Sequence, residues 1–197
     1  MIRRGVTTPH DHGVSIVELS GSDVEEAVDE LAQLLLDAHE SGMALGLAGP
    51  LDRDRAAAEW LATAALLDPR NRVMLGAHAD GSLVGRAEGF LVGTVQIVRS
   101  SAGNGLHRAE IVRLAVRRDM RGRGIGRALL EAATERAREL DISLLWLTTH
   151  ADTDSDRIYE RLGWTRMGTM PGYAARPDGT VVANVFYYLE LSPATRG

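Results

Sequence analysis

A short glycine- and arginine-rich segment, residues 121–126, is the part of the chain whose composition points most directly to chemistry. It stands between an apolar run, residues 110–116, and a stretch with helical spacing. The free backbone amides and the positive dipole end of a helix start suit a phosphate group. Gly122, Gly124 and Gly126 would let the backbone approach such a ligand closely, and arginines would add countercharge. The segment therefore predicts a pyrophosphate-binding turn.

Three other interpretations of this segment stay open on the residues alone. The glycines are spaced by two and two, which departs from the dinucleotide fingerprint G-x-G-x-x-G. An arginine–glycine contact with RNA is a second interpretation, although such segments are usually repetitive and disordered. A tight strand–helix turn with solvated arginines would need no ligand. Five arginines nevertheless lie within eleven residues, and this needs a reason: Arg117, Arg118, Arg121, Arg123 and Arg127.

The composition excludes several classes of chemistry. The 197 residues include no cysteine and no lysine, so all 22 basic residues are arginine. Without cysteine there is no disulfide, thiolate metal site or acyl-cysteine intermediate. Without lysine there is no Schiff base and no P-loop lysine. The net charge of −5 argues against nonspecific nucleic-acid binding and favours a cationic or amine partner. No His, Asp or Glu spacing is typical of a metal site, so no metal is expected.

The order of patterned segments predicts one mixed α/β domain at 14–191, with an arm at 1–13 and a tail at 192–197. A strand at 14–19 leads to a capping box at 22–25 and to helices at 23–40 and 52–67. A meander between 73 and 98 and a strand at 110–116 follow. The rest alternates: helix 125–140, strand 144–148, helix 155–162 ended by Gly163, then paired strands of which the last is 180–191. Neither a membrane span nor a signal peptide is evident, so we expect a cytoplasmic location.

Two linked motifs resemble those of the GNAT-type (GCN5-related) N-acetyltransferases. Arg121-x-x-Gly124-x-Gly126 is similar to the family signature R/Q-x-x-G-x-G/A. Thirty-three residues after Gly126, Tyr159 stands in a segment similar to the family's L-Y-x-x-x-G-F/W. The resemblance covers about residues 14–191. It implies a mixed central sheet of about six to seven strands, with splayed parallel central strands and flanking helices.

The resemblance also implies acetyl-CoA as the cosubstrate, held mainly by backbone groups. The splayed strands would be 110–116 and 143–149, with the pantetheine arm between them. The backbone of Leu114, Ala115 and Val116 would hold the pantetheine amides and the thioester carbonyl. The pyrophosphate would bind the amides of the following turn: Arg121, Gly122, Arg123, Gly124, Ile125, Gly126 and Arg127. The absence of cysteine fits direct attack by an amine in a ternary complex.

Three side chains are candidates for moving protons. The resemblance makes Tyr159 the acid for the leaving thiolate, and the alternative is a tyrosine that only packs on the core. Glu110 opens an otherwise apolar strand and could act as base, directly or through water; it could equally be a solvated strand-end carboxylate. His150 could take up the proton instead, or be an exposed loop histidine.

A narrower resemblance concerns the acceptor. Residues 105–110 and 170–179 look like matching stretches of the tabtoxin-resistance acetyltransferases, which acetylate a small amino-acid-like toxin. It implies a small zwitterionic amine held by Thr148 and Tyr173. That pattern has an acidic residue where this chain has Thr148, and a hydroxyl cannot serve as a base. The alternatives are a protein or peptide N-acetyltransferase and a non-catalytic CoA-binding module. We expect a monomer or homodimer without nucleic-acid or membrane partners.

Overall fold

The computed structural model of the chain describes residues 13–43, 45–80 and 89–192. Within these residues seven strands form one sheet: β1 (Val14–Leu19), β2 (Arg72–Ala79), β3 (Phe90–Arg99), β4 (Arg108–Val116), β5 (Leu144–His150), β6 (Thr165–Ala175) and β7 (Val181–Glu190). The helices are α1 (Gly21–Glu26), α2 (Val28–Glu40), α3 (Arg53–Ala64), α4 (Ile125–Glu139) and α5 (Asp154–Arg161). Nearly all of the predicted arm and tail, and the part of the predicted meander at 81–88, lie outside the described residues.

The strand order is β1-β2-β3-β4-β5-β7-β6, and every neighbouring pair is antiparallel except β4 and β5. Parallel neighbours need a crossover connection, and α4 supplies it. The predicted mixed sheet with two parallel central strands and flanking helices is therefore confirmed. No helix in the described ranges is long and apolar enough to cross a membrane.

Two apolar clusters cover opposite faces of the sheet. One lies under α4 and includes Leu129, Leu145 and Tyr187. The other lies under α1, α2 and α3, around Trp60, whose indole Nε1 donates to the Leu31 carbonyl at 2.8 Å. Each fully buried large apolar side chain contributes about 1.5–3 kcal/mol to the free energy of unfolding, so both clusters stabilise the sheet. The strand residues of the second cluster come from β1 to β4, which leaves β5, β7 and β6 uncovered by it on that face.

The first helical segment of the chain differs from the prediction in its cap and in its continuity. The capping box is formed by Ser20 and Asp23: the Asp23 amide donates to Ser20 Oγ at 3.2 Å, and the Ser20 amide donates to Asp23 Oδ2 at 2.9 Å. The predicted box at 22–25 is wrong. The predicted single helix at 23–40 is also broken at Ala27, where φ is −94° and ψ is 13°. Val24 and Leu31 are both buried, so the apolar spacing runs through the break without marking it.

The second predicted helix, at 52–67, begins as expected and ends early. Asp52 caps it by accepting from the Arg55 amide at 2.8 Å. The helix stops at Ala64, and the chain then turns at Asp68. The Asp68 carboxylate accepts from the amides of Arg70 and Asn71, at 3.0 and 2.7 Å. The chain thus reaches β2 through a short side-chain-stabilised turn.

Candidate active site

The pairing between β4 and β5 is short, and the two strands then separate. It covers only the first three residues of each strand and ends with Glu110 opposite Trp146. Beyond that point the β4 backbone groups directed toward β5 have no strand partner within the described sheet. Leu114, Ala115 and Val116 lie in this stretch. An extended ligand that carries amide groups can fill such a gap as a strand would.

A bulge in β4 accompanies the separation. Arg113 and Leu114 together oppose the single residue Val95 of β3, and Arg113 has φ of 51°. A non-glycine residue in this left-handed region costs roughly 1–2 kcal/mol. The Arg113 guanidinium is held from the helical side: it donates to Glu59 at 3.0 Å and stacks 5.1 Å from the Trp60 ring centroid. These contacts fix the bulge and turn β4 away from β5.

The start of α4 offers unpaired backbone amides at the end of β4. Its N-cap, Gly124, has φ of 79°, and no side chain caps the helix. The amides of Ile125, Gly126 and Arg127 therefore have no acceptor within the helix. A Cβ built on Gly122 or Gly124 would meet nothing within 4 Å, so the space in front of the turn is open. The turn fits a phosphate group bound by backbone donors.

Most of the nearby arginines hold the protein together. Arg121 donates through Nε to the Val116 carbonyl at 3.0 Å and through Nη1 to Ser41 at 3.1 Å, so it ties the turn to β4 and to the end of α2. Arg123 makes no hydrogen bond or ion pair with any described residue. The other three form ion pairs: Arg117 with Asp119, Arg118 with Glu40, and Arg127 with Glu131. Arg123 is thus the guanidinium left for an anionic ligand, while Arg121 and Arg127 remain predicted ligands through their amides.

Tyr159 is positioned by the way α5 ends. The Trp164 amide donates to the Tyr159 carbonyl at 3.0 Å and the Gly163 amide to Glu160 at 3.0 Å, with Gly163 at φ of 85°. This helix stop brings Trp164 edge-on to the Tyr159 ring, at 6.2 Å, and Tyr187 lies 5.5 Å away. Burial raises the pKa of the Tyr159 phenol to about 12. Its hydroxyl stays protonated at neutral pH and has no hydrogen-bond partner among the residues described.

Glu110 lies on the opposite face of the sheet, at the last β4–β5 pair. It borders a cleft of about 720 Å³ whose wall includes Trp146, Phe186 and Tyr188. Burial raises the pKa of its carboxyl, and the charge of Arg72 opposes part of that rise. The sequence did not indicate Arg72, because only the sheet register brings it into the same row as Glu110. A half-buried carboxylate facing an aromatic wall can attract a cation or accept a proton.

Thr148 and His150 share one hydrogen-bonded chain with a residue that the sequence did not indicate. Asn184 of β7 donates through Nδ2 to Thr148 Oγ1 at 3.1 Å, and its Oδ1 lies 2.9 Å from His150 Nδ1. His150 is buried at the end of β5 and is not an exposed loop histidine. Thirty-four residues separate Asn184 from His150, and only the antiparallel β5–β7 register shows that they meet.

Tyr173 extends the aromatic wall of the cleft. Its ring meets Phe186 edge-on at 5.0 Å, and Phe186 in turn stacks with Trp146 at 6.3 Å. The Tyr173 ring is both packed and 45% exposed. The structure therefore brings Glu110, Tyr173 and the chain of polar residues on β5 to one face, while Tyr159 lies on the α4 side. The gap between β4 and β5 separates the two groups.

Comparison with known proteins agrees with this architecture. Residues 29–164 match the acetyltransferase (GNAT) family. The chain belongs to this family. Acetyl-CoA is the cosubstrate of GNAT acyltransferases, so the expected cosubstrate is confirmed at the level of the family.

Individual GNAT relatives are more distant. The chain is 32% identical over 129 residues to the mycothiol acetyltransferase of Propionibacterium freudenreichii subsp. shermanii, a match that covers 64% of this chain and 36% of that protein. The chain thus spans about a third of that relative's length. An Acinetobacter baylyi protein provisionally classed as an acetyltransferase superposes with a TM-score of 0.71 at 20% identity, covering 93% of this chain and 96% of its own. A Salmonella typhimurium protein of the same provisional class, solved with its cofactor acetyl-CoA, superposes with a TM-score of 0.65 at 18% identity. The superposition covers 93% of this chain and 97% of that protein. These structures show the fold.

The turn before α4 generates a first prediction. Gly124→Glu should abolish acetyl-CoA binding, because the new side chain would occupy the open space and bring a negative charge toward the phosphates. The matched control is Gly179→Glu, at a remote hairpin turn with φ of 84° and the same open surroundings. Both variants should lose roughly 1–2 kcal/mol of stability through backbone strain. At about 100 times Kd, acetyl-CoA should add ~2.7 kcal/mol to wild type and to the control only. Equal thermal shifts in both variants would place the phosphate site elsewhere.

Glu110 generates a second prediction, on stability against pH. Because the pKa of Glu110 is raised, the folded state binds the carboxyl proton more tightly than the unfolded chain does. The protonated carboxyl therefore contributes fully to the free energy of unfolding below its ordinary pKa of 4.5. This contribution is lost as the pH rises through the pKa of the folded state. Glu110→Gln should therefore gain free energy of unfolding relative to wild type between about pH 4 and 7. Urea unfolding at several pH values measures this, with exposed Glu25→Gln as the control. A difference that stays constant with pH would contradict the burial argument.

Proposed function

We propose that the protein is an acetyl-CoA-dependent N-acetyltransferase that acetylates the primary amine of a small, amino-acid-like molecule. One observation carries the proposal: β4 and β5 separate just beyond Glu110, so the gap between them has the bare amides of α4 near its β4 end and begins beside a cleft with charged groups of both signs and an aromatic wall. A ligand with both phosphates and a thioester suits the amides and the gap, and an amine suits the cleft.

The cosubstrate would be held mainly by main-chain donors. The amides at the start of α4 would bind the pyrophosphate, with Arg123 as the available countercharge. The unpaired stretch that includes Leu114 and Ala115 would pair with the pantetheine amides and orient the thioester carbonyl. Acetyl-CoA supplies the activated acyl group. The chain would supply position: residues on both sides of the gap would hold the two reactants in line, and such positioning contributes much of the rate of a direct transfer.

Proton handling would be divided between the two faces of the sheet. The Tyr159 hydroxyl, protonated and without a partner, would donate to the leaving sulfur. On the other face Glu110 and His150 are the two candidates for the proton of the amine. Glu110 lies at the last β4–β5 pair, whereas His150 lies on the separated part of β5 and flanks the gap itself. His150 is therefore the better placed base, and Glu110 would attract the cationic form of the acceptor.

The cleft suits an acceptor that is charged at one end and apolar at another. Glu110 provides a negative group, Arg108 a positive one, and Trp146 and Phe186 a flat apolar wall. Tyr173 continues that wall with a ring and a hydroxyl. These features agree with the narrower resemblance to the tabtoxin-resistance acetyltransferases, whose acceptor is a small amino-acid-like toxin. The Thr148 position, occupied by a hydroxyl that accepts from Asn184, argues that this acceptor is held differently.

Tyr159 generates a third prediction, which separates chemistry from packing. Tyr159→Phe keeps the ring against Trp164 and Tyr187 and removes a hydroxyl that has no described partner. Stability should therefore change by less than about 1 kcal/mol, while kcat falls by ~10²–10⁴ and acetyl-CoA affinity stays nearly constant. Turnover in a thiol-release assay and urea unfolding are measured together. Wild-type kcat in the variant would return Tyr159 to a packing role.

The acceptor generates a fourth prediction. In a thiol-release assay over a panel of amines, free amino acids and toxin-like amines should be acetylated more readily than peptides. Tyr173→Ala should raise KM for the amine roughly tenfold and leave KM for acetyl-CoA within about twofold, because the ring lines only the acceptor side. Ready acetylation of peptides alone would favour a protein or peptide acetyltransferase. Binding of CoA without transfer to any amine would favour a non-catalytic regulatory module.

A further inference from the structure

Three polar side chains at the end of β5 and the facing part of β7 form one hydrogen-bonded chain. Asn184 links its two neighbours: Nδ2 donates to Thr148 Oγ1 at 3.1 Å, and Oδ1 lies 2.9 Å from Nδ1 of His150. Asn184 is 2% exposed and His150 is 4% exposed. Water therefore competes little for these bonds, and a buried polar network of this kind is worth most when every member is satisfied.

The orientation of the Asn184 amide indicates which nitrogen of the imidazole carries the proton. An amide that donates through Nδ2 to Thr148 presents its carbonyl oxygen to His150, and an oxygen of this kind only accepts. Nδ1 of His150 must then carry the proton, and in the neutral ring Nε2 carries the lone pair. Nε2 has no hydrogen-bond partner in the described part of the chain. It is also absent from the set of fully buried polar atoms that lack a partner, so it is not completely enclosed. Nε2 thus keeps a lone pair without a partner, at a nearly buried position beside the separated stretch of β5.

The location of the ring matches the gap. Side chains at 146, 148 and 150 alternate onto one face of β5, which is the face of the Glu110 cleft. The last β4–β5 pair joins Glu110 to Trp146, so Thr148 and His150 border the separated stretch. Thr153 Oγ1 also donates to the His150 carbonyl at 2.9 Å, which anchors the turn after the strand.

We propose that Asn184 is a positioning residue that holds the His150 imidazole with its proton on Nδ1, so that Nε2 accepts the proton of the incoming amine. The inference rests on the proposed function. As the C–N bond forms and the C–S bond of the thioester breaks, the amine proton passes to Nε2, and the sulfur takes the Tyr159 proton. His150 then releases a proton to solvent, and Tyr159 regains one. Thr148 fixes the amide orientation by accepting from Nδ2.

A spectroscopic test needs no acceptor amine. The full chain is labelled with ¹⁵N-histidine, and long-range ¹H–¹⁵N spectra identify His150 by the signals that disappear in His150→Gln. The neutral ring should carry its proton on Nδ1 in wild type and populate both tautomers in Asn184→Leu. Thr94→Val is the control, since its hydroxyl is buried in the same sheet without a partner. A wild-type ring protonated on Nε2 would overturn the proposal.

A kinetic test asks whether the tautomer matters. Asn184→Leu should lower kcat roughly tenfold, less than the ~10²–10⁴ expected for His150→Gln because the ring remains. KM for acetyl-CoA should stay within about twofold. Thr148→Val should show a smaller loss in the same direction, because the amide can then flip. Asn184→Asp keeps an acceptor for Nδ1 and should restore most of kcat; since a carboxylate also favours the charged ring, it is assayed at about pH 8.5.

The two tests separate the positioning role from the proposed function. If Asn184→Leu does not fold, Asn184→Asp and Thr148→Val carry both measurements, because each keeps a side chain of nearly the same size. A changed tautomer with wild-type kcat would overturn the role of Nε2 and leave acetyl transfer intact. A tautomer that responds as expected in a protein that acetylates no amine would overturn the proposed function alone.

Discussion

The early end of the β4–β5 pairing is the constraint on which the rest of the structure depends. Two parallel strands that separate inside a sheet leave backbone donors and acceptors without partners, which is costly unless something replaces the missing strand. The protein maintains this state by a bulge at Arg113, held by Glu59 and Trp60 from α3. The helical layer on one face therefore stabilises the opening that serves both faces. The stretch of β4 beyond the bulge and the start of α4 then lie next to each other along the chain.

Charge is distributed to match the two sides of this opening. The chain carries a net charge of −5, yet the turn before α4 offers bare amides, a helix dipole and the guanidinium of Arg123. Of the other four arginines of that segment, Arg121 ties the turn to the Val116 carbonyl, and the remaining three form ion pairs. An anion therefore meets a local positive field in a negative molecule, while the cleft on the other face offers charges of both signs, Glu110 and Arg108, beside an aromatic wall. The two faces of the sheet thus present different electrostatic surroundings.

Turns and helix ends that depend on single residues could be predicted from the sequence, whereas contacts between residues on different strands could not. The glycines at 122 and 124 and the stop at Gly163 need positive φ, a property of single residues, so their pattern predicted the α4 turn and the position of Tyr159 on its helix. The break at Ala27 leaves the apolar spacing intact and so gave no signal. The clustering of five arginines was visible in the sequence, but which of them form ion pairs was not, since composition cannot tell a paired guanidinium from an available one. Asn184 reaches His150 only through the β5–β7 register, which no local pattern encodes.

The hydroxyl of Thr148 and the pairing of His150 with Asn184 have one physical consequence in the proposed mechanism. Glu110 and Thr148 lie on neighbouring strands, two residues apart in register, on one face. Asn184 and Thr148 satisfy the Nδ1 side of the buried His150 ring by hydrogen bonds, without placing a second charged group on this face. Glu110 is then free to attract the cation, and His150 is free to accept its proton. In the proposed mechanism the acceptor site thus has two different groups for two tasks, attraction of the cation and acceptance of its proton.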